Sequence, residues 1–218
     1  MTAAFPHGKQ RAMLLWLGIL LLAAGLACFA VDRRAAHLFH DRIPLRIHRR
    51  INRTTDWAKG AYWLALSVTV LLVSQTAIWF WGPTPLTAFW ANISLAYLAS
   101  LAVGSAILHT IKIVLGRRRP RDELELNLYG FRFAHFDLQH DSFPSGHALT
   151  IFCVAVIASA AAPALTLLWF AIAFYLALTR VFLNAHYLSD VFVGAATGIL
   201  TTREVVIHFF PSLLQPWF

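Results

Sequence analysis

Residues 112–120 read KIVLGRRRP, residues 142–149 read SFPSGHAL and residues 179–190 read TRVFLNAHYLSD. These three polar clusters stand within otherwise apolar sequence. Ionisable side chains at membrane depth are costly, and they commonly have a functional role. We therefore expect the stretch from Lys112 to Asp190 to fold into one functional site with two histidines at its centre.

The composition indicates an integral membrane protein. Of the 218 residues, 59% are hydrophobic and 13% are charged, and the mean hydropathy is +0.63. A soluble domain of this size could not bury that much apolar surface. The formal charge of +8 suits an anionic lipid or a phosphorylated substrate. Nucleic acid is not an expected partner, because the basic residues interrupt apolar runs and form no soluble module.

Apolar runs of roughly membrane-spanning length predict an all-α fold. We expect one domain over residues 1–218, built as a bundle of six transmembrane helices. The fourth run is the shortest. The six runs are 12–31, 60–81, 87–115, 147–162, 164–183 and 187–209.

Two polar segments connect these runs. In residues 32–59, Ile43, Ile47 and Ile51 recur every four residues among arginines, which predicts an amphipathic helix in the headgroup plane. A solvated basic loop is the alternative. Residues 121–143 are rich in aromatic side chains and are expected to cap the site.

Some residues of these segments are weaker candidates for substrate contact. Headgroup selection is expected from the basic first loop and from Phe131, Arg132 and Phe133. His135 and His140 are possible contacts in the cap. The remaining histidines outside the clusters, His109 among them, are expected to be interfacial or structural. With six spans, loops one, three and five face the same side of the membrane, so the three clusters can meet.

The first cluster has the composition of a phosphate receptor. Lys112 and Arg119 are seven residues apart, close to two turns, so on one continuing helix both side chains point the same way. Pro120 is expected to end that helix. An ammonium and a guanidinium that converge on one point bind a dianionic phosphate. The alternative is an ordinary basic flank of a membrane span.

The second cluster predicts a helix start. Ser145, Gly146 and His147 come directly before an apolar run. A helix N-terminus presents free N–H groups and the positive end of the helix dipole to an anion. Gly146 permits close approach of the backbone, and the Ser145 hydroxyl adds a donor. The alternative is a capped helix with an interfacial histidine.

The third cluster contains a histidine and a carboxylate with the spacing of a catalytic dyad. His186 and Asp190 are four residues apart, neighbours on one face of a helix. A carboxylate bonded to one ring nitrogen fixes the tautomer and leaves the other nitrogen nucleophilic. Arg180 would add a third cation. A metal site is disfavoured because these cations would repel the metal, and a purely structural His–Asp pair is the alternative.

Together the clusters resemble the three-part signature of the type 2 phosphatidic acid phosphatase (PAP2) superfamily. The resemblance covers residues 112–190. One departure is Thr179, where the family commonly has Ser; Thr keeps the hydroxyl. The matching motifs are Lys112-x6-Arg119-Pro120, Pro144-Ser145-Gly146-His147 and Arg180-x5-His186-x3-Asp190.

The resemblance implies a metal-independent bacterial membrane lipid phosphatase that needs no cofactor. His186 would attack phosphorus while Asp190 orients it, and His147 would protonate the leaving oxygen and later activate water. The phosphoryl oxygens would be held by Lys112, Arg119, Ser145, Gly146 and Arg180.

The predicted function is hydrolysis of the terminal phosphate of a lipid phosphate or diphosphate. Candidate substrates are phosphatidylglycerophosphate, phosphatidic acid, a polyprenyl diphosphate and lipid A. An intramembrane site favours a substrate with an acyl or prenyl chain, so the expected partners are this lipid and the bilayer. The alternatives are phosphate transfer from one lipid to another and non-catalytic transport of a lipid phosphate.

The distribution of basic residues conflicts with the orientation that the resemblance implies. Fifteen of the 18 Lys and Arg lie on the predicted active-site side: eight in 32–59, six in 112–132, and Arg180. The positive-inside rule would place that side in the cytoplasm. The resemblance implies a multi-pass protein of the bacterial inner membrane whose site faces the periplasm. We expect a site that faces the periplasm. The cations that bind phosphate are present for the chemistry of the site, so they should be discounted when the positive-inside rule is applied.

Overall fold

The computed structural model describes residues 12–134, 141–215 and 218. The regular secondary structure of these residues is α-helix with short 3-10 segments, and the all-helical prediction is confirmed. The helices are α1 Met13–Cys28, α2 Asp32–Arg42, α3 Leu45–Thr54, α4 Gly60–Trp81, α5 Pro85–Leu115, α6 Pro120–Leu126, α7 Gly146–Ala161, α8 Thr166–Phe182 and α9 Leu188–Phe209. Short 3-10 segments lie at Thr55–Ala58, Pro163–Leu165 and Pro211–Leu213.

Several helices have the length and hydropathy of membrane spans. Within the described residues, four stretches meet both criteria, and α1 with α2 would make a fifth if this pair, bent by 82°, is one span. Helix α7 is apolar but has only 16 residues. Each of the six predicted runs therefore contains a helix, and four or five spans are supported. The four stretches are Arg46–Trp81, Pro85–Leu115, Pro163–Phe182 and Leu188–Phe209.

Helices α7 and α9 form the centre of the bundle. Helix α7 buries residues on all of its faces, and α9 buries most of its length. Helix α1 packs on α9, α8 packs on α7, and α5 contacts both central helices while α4 packs on its outer side. The second and third polar clusters start α7 and α9, so this arrangement puts both clusters in the interior.

Two glycines of α9 let it approach α7 closely. A Cβ atom at Gly194 would collide with the carbonyl oxygen of Ser145, and one at Gly198 would lie 2.6 Å from the carbonyl oxygen of Leu149. Backbone atoms cannot move aside as a flexible side chain can. The missing side chains therefore fix the distance between the two helices that begin at the polar clusters.

The prediction that Lys112 and Arg119 share one continuing helix was wrong. Helix α5 ends at Leu115 because Gly116 adopts the left-handed conformation with φ 52° and ψ 55°, which terminates helices. Arg119 is the N-cap residue of α6, and Pro120 begins that helix, where proline is well tolerated.

The isoleucine stripe is interrupted between α2 and α3. Ile43 follows α2 in an extended conformation, and α3 starts after Pro44, because proline disfavours helical geometry in the residue before it. Within α3, Ile47 is exposed and Arg46 and Arg49 are exposed too. The amphipathic pattern is therefore present in α3, but no single helix carries all three isoleucines.

The described aromatic residues after α6 pack around Arg117, beside the site. Tyr129 and Phe131 contact the side chain of Arg117 together with Phe29 at the end of α1, and Phe143 packs on Phe29. His135, Phe136 and His140 lie outside the described residues. The described residues of 121–143 are not among those that line the cavity, and the cap over the site stays a prediction.

Replacing Gly194 by Ala should destabilise the bundle by about 1–3 kcal/mol, because overpacking against a backbone carbonyl forces α7 and α9 apart. The measurement is the thermal midpoint of unfolding in detergent. Thr197→Ala on the same helix is the control, because within the described residues the Thr197 hydroxyl bonds only to the Val193 carbonyl of its own helix. Equal midpoints for Gly194→Ala and the control would contradict the packing argument.

Candidate active site

The three polar clusters meet at one cavity of about 320 Å³. Six of the eight residues predicted for the site line it: Lys112, Arg119, Gly146, His147, Arg180 and His186. The rest of the lining comes from Ala58, Gly60, Ser105, Leu108, His109, Leu149 and Thr150. The cavity thus has a cationic end and a more apolar wall formed by α4, α5 and α7.

The cations of the cavity are arranged to receive an anion. The Nζ of Lys112 is held by a 2.7 Å hydrogen bond to the carbonyl of Asp141. Among the described residues, Arg119 and Arg180 have no carboxylate partner, and their Nε–H groups are buried without an acceptor. Burial lowers the pKa of Arg119, and the positive charge of Arg121 lowers it further. A negative charge in the cavity would relieve this repulsion.

His186 presents one ring nitrogen as a nucleophile. Its Nδ1 lies 2.8 Å from the carbonyl oxygen of Ser142 and 3.5 Å from Oδ2 of Asp190. A carbonyl and a carboxylate can only accept a hydrogen bond, so Nδ1 carries the proton and Nε2 has a free lone pair. The ring lines the cavity, which gives Nε2 access to a bound group.

Asp190 lies behind His186 and is fully buried. Its Oδ1 accepts a 2.6 Å hydrogen bond from Nη1 of Arg117. Its Oδ2 accepts from the backbone N–H of Tyr187 at 2.8 Å and from the hydroxyl of Ser142. The carboxylate therefore has a full set of donors without a direct, short bond to the imidazole.

One detail of the predicted dyad was wrong, and one partner of His186 was not predicted. His186 lies in the turn before α9, whereas Asp190 is in the first turn of that helix, so the pair does not share one helical face. The closest partner of Nδ1 is the Ser142 carbonyl. The turn between α8 and α9 brings the ring back over the helix start, where this carbonyl is nearer than the carboxylate.

Ser145 supports the helix start from behind the cavity. It is the N-cap of α7 and its side chain accepts from the N–H of Ala148, as helix-start serines commonly do. Its own N–H donates to the carbonyl of Asp190 at 2.9 Å. Ser145 is fully buried, so the predicted hydroxyl donor faces the helix and not the cavity. The free N–H groups nearest the cavity belong to Gly146 and His147, the first residues of α7.

Thr179 also has a supporting role. Its hydroxyl lies 2.8 Å from Oγ1 of Thr55 and bonds to the carbonyl of Leu176. Thr179 is fully buried, and the contact joins α8 to the 3-10 segment before α4. This segment contributes Ala58 to the cavity wall.

Two features of the site were not predicted from the sequence. His109 lines the cavity; its spacing of three residues before Lys112 on α5 places both on one helical face, and that signal could have identified it. Arg117 contacts Asp190 directly. It is the first of three consecutive arginines, and no sequence pattern distinguishes it from the other two.

The sequence profile of the PAP2 superfamily matches residues 93–212, which is more than half of the chain and includes every motif of the site. The chain belongs to the PAP2 superfamily. Its curated relatives include the lipid A 1-phosphatase of Rhizobium etli, 34% identical over 104 residues, which are 47% of this chain and 45% of that protein. The chain thus spans under half of this relative's length.

A second relative covers most of both chains. The provisionally named undecaprenyl-diphosphatase YbjG of Escherichia coli is 26% identical over 194 residues, 82% of this chain and 91% of that protein. Among solved structures, a PAP2-type phosphatidylglycerolphosphate phosphatase from Bacillus subtilis has a TM-score of 0.60 at 19% identity, with 94% of this chain and 98% of that chain covered. Aquifex aeolicus LpxE has a TM-score of 0.55 at 19% identity, covering 82% and 96%. These structures show that the PAP2 family and this chain share their fold.

The burial of His186 should make stability fall on acidification. Burial lowers the pKa of His186 to about 4, and the nearby charges of Lys112 and Arg119 act in the same direction while Asp190 opposes them. The unfolded chain binds a proton near its ordinary pKa of about 6.5, so the folded state loses stability as pH falls from about 6.5 to about 4.

His186→Gln removes this ionisation. We compare the thermal midpoints of the wild type and of His186→Gln at each pH. The wild-type midpoint minus that of His186→Gln should decrease as pH falls from about 6.5 to about 4, and it should be constant above about pH 7. His208→Gln, which alters an exposed histidine, is the control and should follow the wild type. A pH-independent difference between wild type and His186→Gln would contradict a neutral, buried His186.

Proposed function

We propose that this protein is a membrane lipid phosphatase that hydrolyses a terminal phosphate through a phosphohistidine intermediate. The observation that carries this proposal is the joint lining of one cavity by His186, with its Nδ1 proton held from behind, and by the three cations of the clusters. A nucleophile and an anion receptor at one point are what phosphoryl transfer requires.

In the first step, Nε2 of His186 attacks phosphorus and the bond from phosphorus to the leaving oxygen breaks. His147 gives its proton to that oxygen, so the lipid leaves as an alcohol or a lipid monophosphate. The Ser142 carbonyl and Asp190 stabilise the positive charge that develops on the imidazole. Lys112, Arg119 and Arg180, with the N–H groups at Gly146, hold the phosphoryl oxygens. Ser145 would act by capping that helix start.

In the second step, water attacks the phosphorus of phosphohistidine. His147, now neutral, accepts a proton from the water, and the bond between phosphorus and Nε2 breaks to release inorganic phosphate. The cycle returns both histidines to their starting states. Because three fixed cations neutralise the phosphoryl charge in this scheme, the reaction needs no metal ion and no cofactor.

The apolar wall of the cavity favours a substrate with a hydrocarbon chain. Leu108 on α5 and Leu149 on α7 face the same space as the cations, so a chain can extend toward the membrane from the phosphate position. The relatives named above act, by their names, on lipid A and on undecaprenyl diphosphate. We extend this class to phosphatidylglycerophosphate and phosphatidic acid.

Headgroup selection is proposed for a second cavity of about 450 Å³. It shares Arg119 and Arg180 with the first cavity and adds His40 and His48 from α2 and α3. This placement supports a role for the basic first loop. Phe131 and Phe133 instead stack on each other at 5.9 Å beside Phe29.

An acceptor lipid could bind in this second cavity, which makes lipid-to-lipid phosphotransfer the second candidate function.

The membrane arrangement is also a proposal. We place six spans in one domain of 1–218, counting α1, α4, α5, α7, α8 and α9, with α3 in the headgroup plane. Exposed Ile47 opposite exposed arginines supports that position of α3. By family resemblance, the protein would lie in a bacterial inner membrane with the site on the periplasmic side.

Phosphate release should resist chelation and depend on His186. Detergent-purified protein is incubated with a panel of lipid phosphates and diphosphates in excess chelator, and free phosphate is measured. His186→Ala should lower the rate by at least about 10³-fold, because it removes the nucleophile. His208→Ala, at an exposed position, should keep the wild-type rate. Activity that is lost in chelator and restored by magnesium would contradict the metal-free mechanism. Phosphorylated lipid in place of free phosphate would favour phosphotransfer.

The orientation is tested by fusing reporters to the C-terminus. Six spans with a periplasmic site put both termini in the cytoplasm, so a reporter that folds only in the cytoplasm should be active and one that needs the periplasm should be silent. The reverse pattern would show that the basic first loop obeys the positive-inside rule.

A further inference from the structure

Arg117 is completely buried and makes polar contacts in two directions. Its side chain has 0% exposure. Nη1 donates to Oδ1 of Asp190 and to the hydroxyl of Ser189, both at 2.6 Å. Nη2 donates to Oδ2 of Asp32 at 2.7 Å and to the hydroxyl of Tyr129 at 3.1 Å. One planar guanidinium thus bridges two carboxylates.

Aromatic rings exclude water from this bridge. The guanidinium carbon lies 4.2 Å from the ring centre of Tyr187 and 4.5 Å from that of Phe29. Rings at these distances attract a cation through their π-electrons and leave no space for solvent. In a dry setting the geometry of a charge pair is fixed more firmly than at a surface.

Asp32 holds the other end of the bridge and also caps α9. It is the first residue of α2 and is buried. Its Oδ1 accepts from the backbone N–H of Ser189 at 3.0 Å, while Asp190 accepts from the N–H of Tyr187. Two carboxylates therefore cap the start of α9, where negative charge is favourable, and Arg117 joins them.

This bridge lies behind the reacting groups. Among the described residues that line the cavity, neither Arg117 nor Asp32 is found. The pKa of Arg117 is raised, since the charges of Asp190 and Asp32 outweigh its burial. Arg117 is thus a permanent cation that touches Asp190 and cannot touch a phosphate in the cavity.

We propose that Arg117 and Asp32 are positioning residues for His186. Arg117 fixes the Asp190 carboxylate and the start of α9, and these hold the Ser142 hydroxyl and the turn that carries His186. The role rests on the proposed function, because it concerns the geometry of attack. It predicts a loss of turnover without a loss of phosphate affinity. Mutating a residue that orients a functional group from behind commonly lowers activity or affinity by about 10- to 100-fold, as is known for the residues behind metal ligands.

The test compares Arg117→Lys, Asp32→Asn and Arg118→Gln with the wild type. Lys keeps the charge, but its single ammonium group cannot bridge two carboxylates as the planar, forked guanidinium of Arg117 does. Arg118 is the adjacent arginine and is partly exposed, so Arg118→Gln is the matched control. Folding is checked by monodisperse elution in detergent. Asp32→Asn keeps shape, so it tests the bridge even where the Arg117 variant does not fold.

Two anions separate positioning from phosphate binding without a lipid substrate. Orthovanadate takes the five-coordinate geometry of phosphoryl transfer when an oriented nucleophile binds it, whereas inorganic phosphate reports the cations of the cavity. By calorimetry, Arg117→Lys and Asp32→Asn should bind orthovanadate about 10-fold more weakly and phosphate within about twofold of wild type. With a lipid substrate, kcat should fall about 10- to 100-fold at constant KM.

The outcomes discriminate between the two proposals. A wild type that binds neither anion and releases no phosphate would overturn the proposed function, and this inference with it. A wild type that is active and binds both anions, beside folded variants that match Arg118→Gln in kcat and in orthovanadate affinity, would overturn only the positioning role. Raised KM and weakened phosphate binding at constant kcat would also overturn it, because Arg117 would then be part of the phosphate receptor.

Discussion

The buried cation Arg117, held between Asp32 and Asp190, is the constraint on which the site depends. Removing one partner from a buried charge pair typically costs about 3–5 kcal/mol, because the remaining charge stays in a dry interior. The three residues come from α2, from the turn after α5 and from the start of α9. Their charges can be satisfied only when these three parts are assembled, so the bridge couples the fold to the geometry of the dyad.

The imidazole ring of His186 is oriented by one backbone group and one side chain. The Ser142 carbonyl fixes the tautomer at 2.8 Å, and Asp190 supplies negative charge at 3.5 Å. A backbone acceptor cannot be protonated, so the imidazole keeps its orientation over a wide pH range. The carboxylate, already saturated by Arg117, Ser142 and Tyr187, is fixed in place and acts mainly through its field.

The sequence predicted the helical fold and the meeting of the clusters because both follow from strong signals. Apolar runs predicted the helices. Lys112 and Arg180 stood out as ionisable groups within such runs, and His186 stood out between two of them. Local geometry was not predictable. The left-handed turn at Gly116 sends Arg117 inward and Arg119 to the cavity, yet three consecutive arginines look alike in sequence. The same holds for Ser145, whose hydroxyl caps a helix.

Other parts of the site depend on long-range packing that no local pattern encodes. Asp32 reaches Ser189 across 157 positions of the chain, and the contact exists only because α1 and α2 bend by 82° over the start of α9. His109 was within reach of a periodicity argument, since it precedes Lys112 by one helical turn. A histidine near the end of a span has several possible roles, and only the cavity distinguishes them.

The length of α5 sets the height at which a lipid phosphate would be held. Its 31 residues extend over about 46 Å, whereas the hydrocarbon layer is about 30 Å thick. A tilt of about 20° shortens the vertical extent only to about 43 Å. In a membrane position with this surplus on the side of the polar clusters, the end of α5 with His109 and Lys112 would lie in the headgroup layer, where the phosphates of neighbouring lipids reside. In that arrangement the proposed lipid substrate would reach the cavity by lateral diffusion, and its charged phosphate would stay at the depth at which it is hydrated.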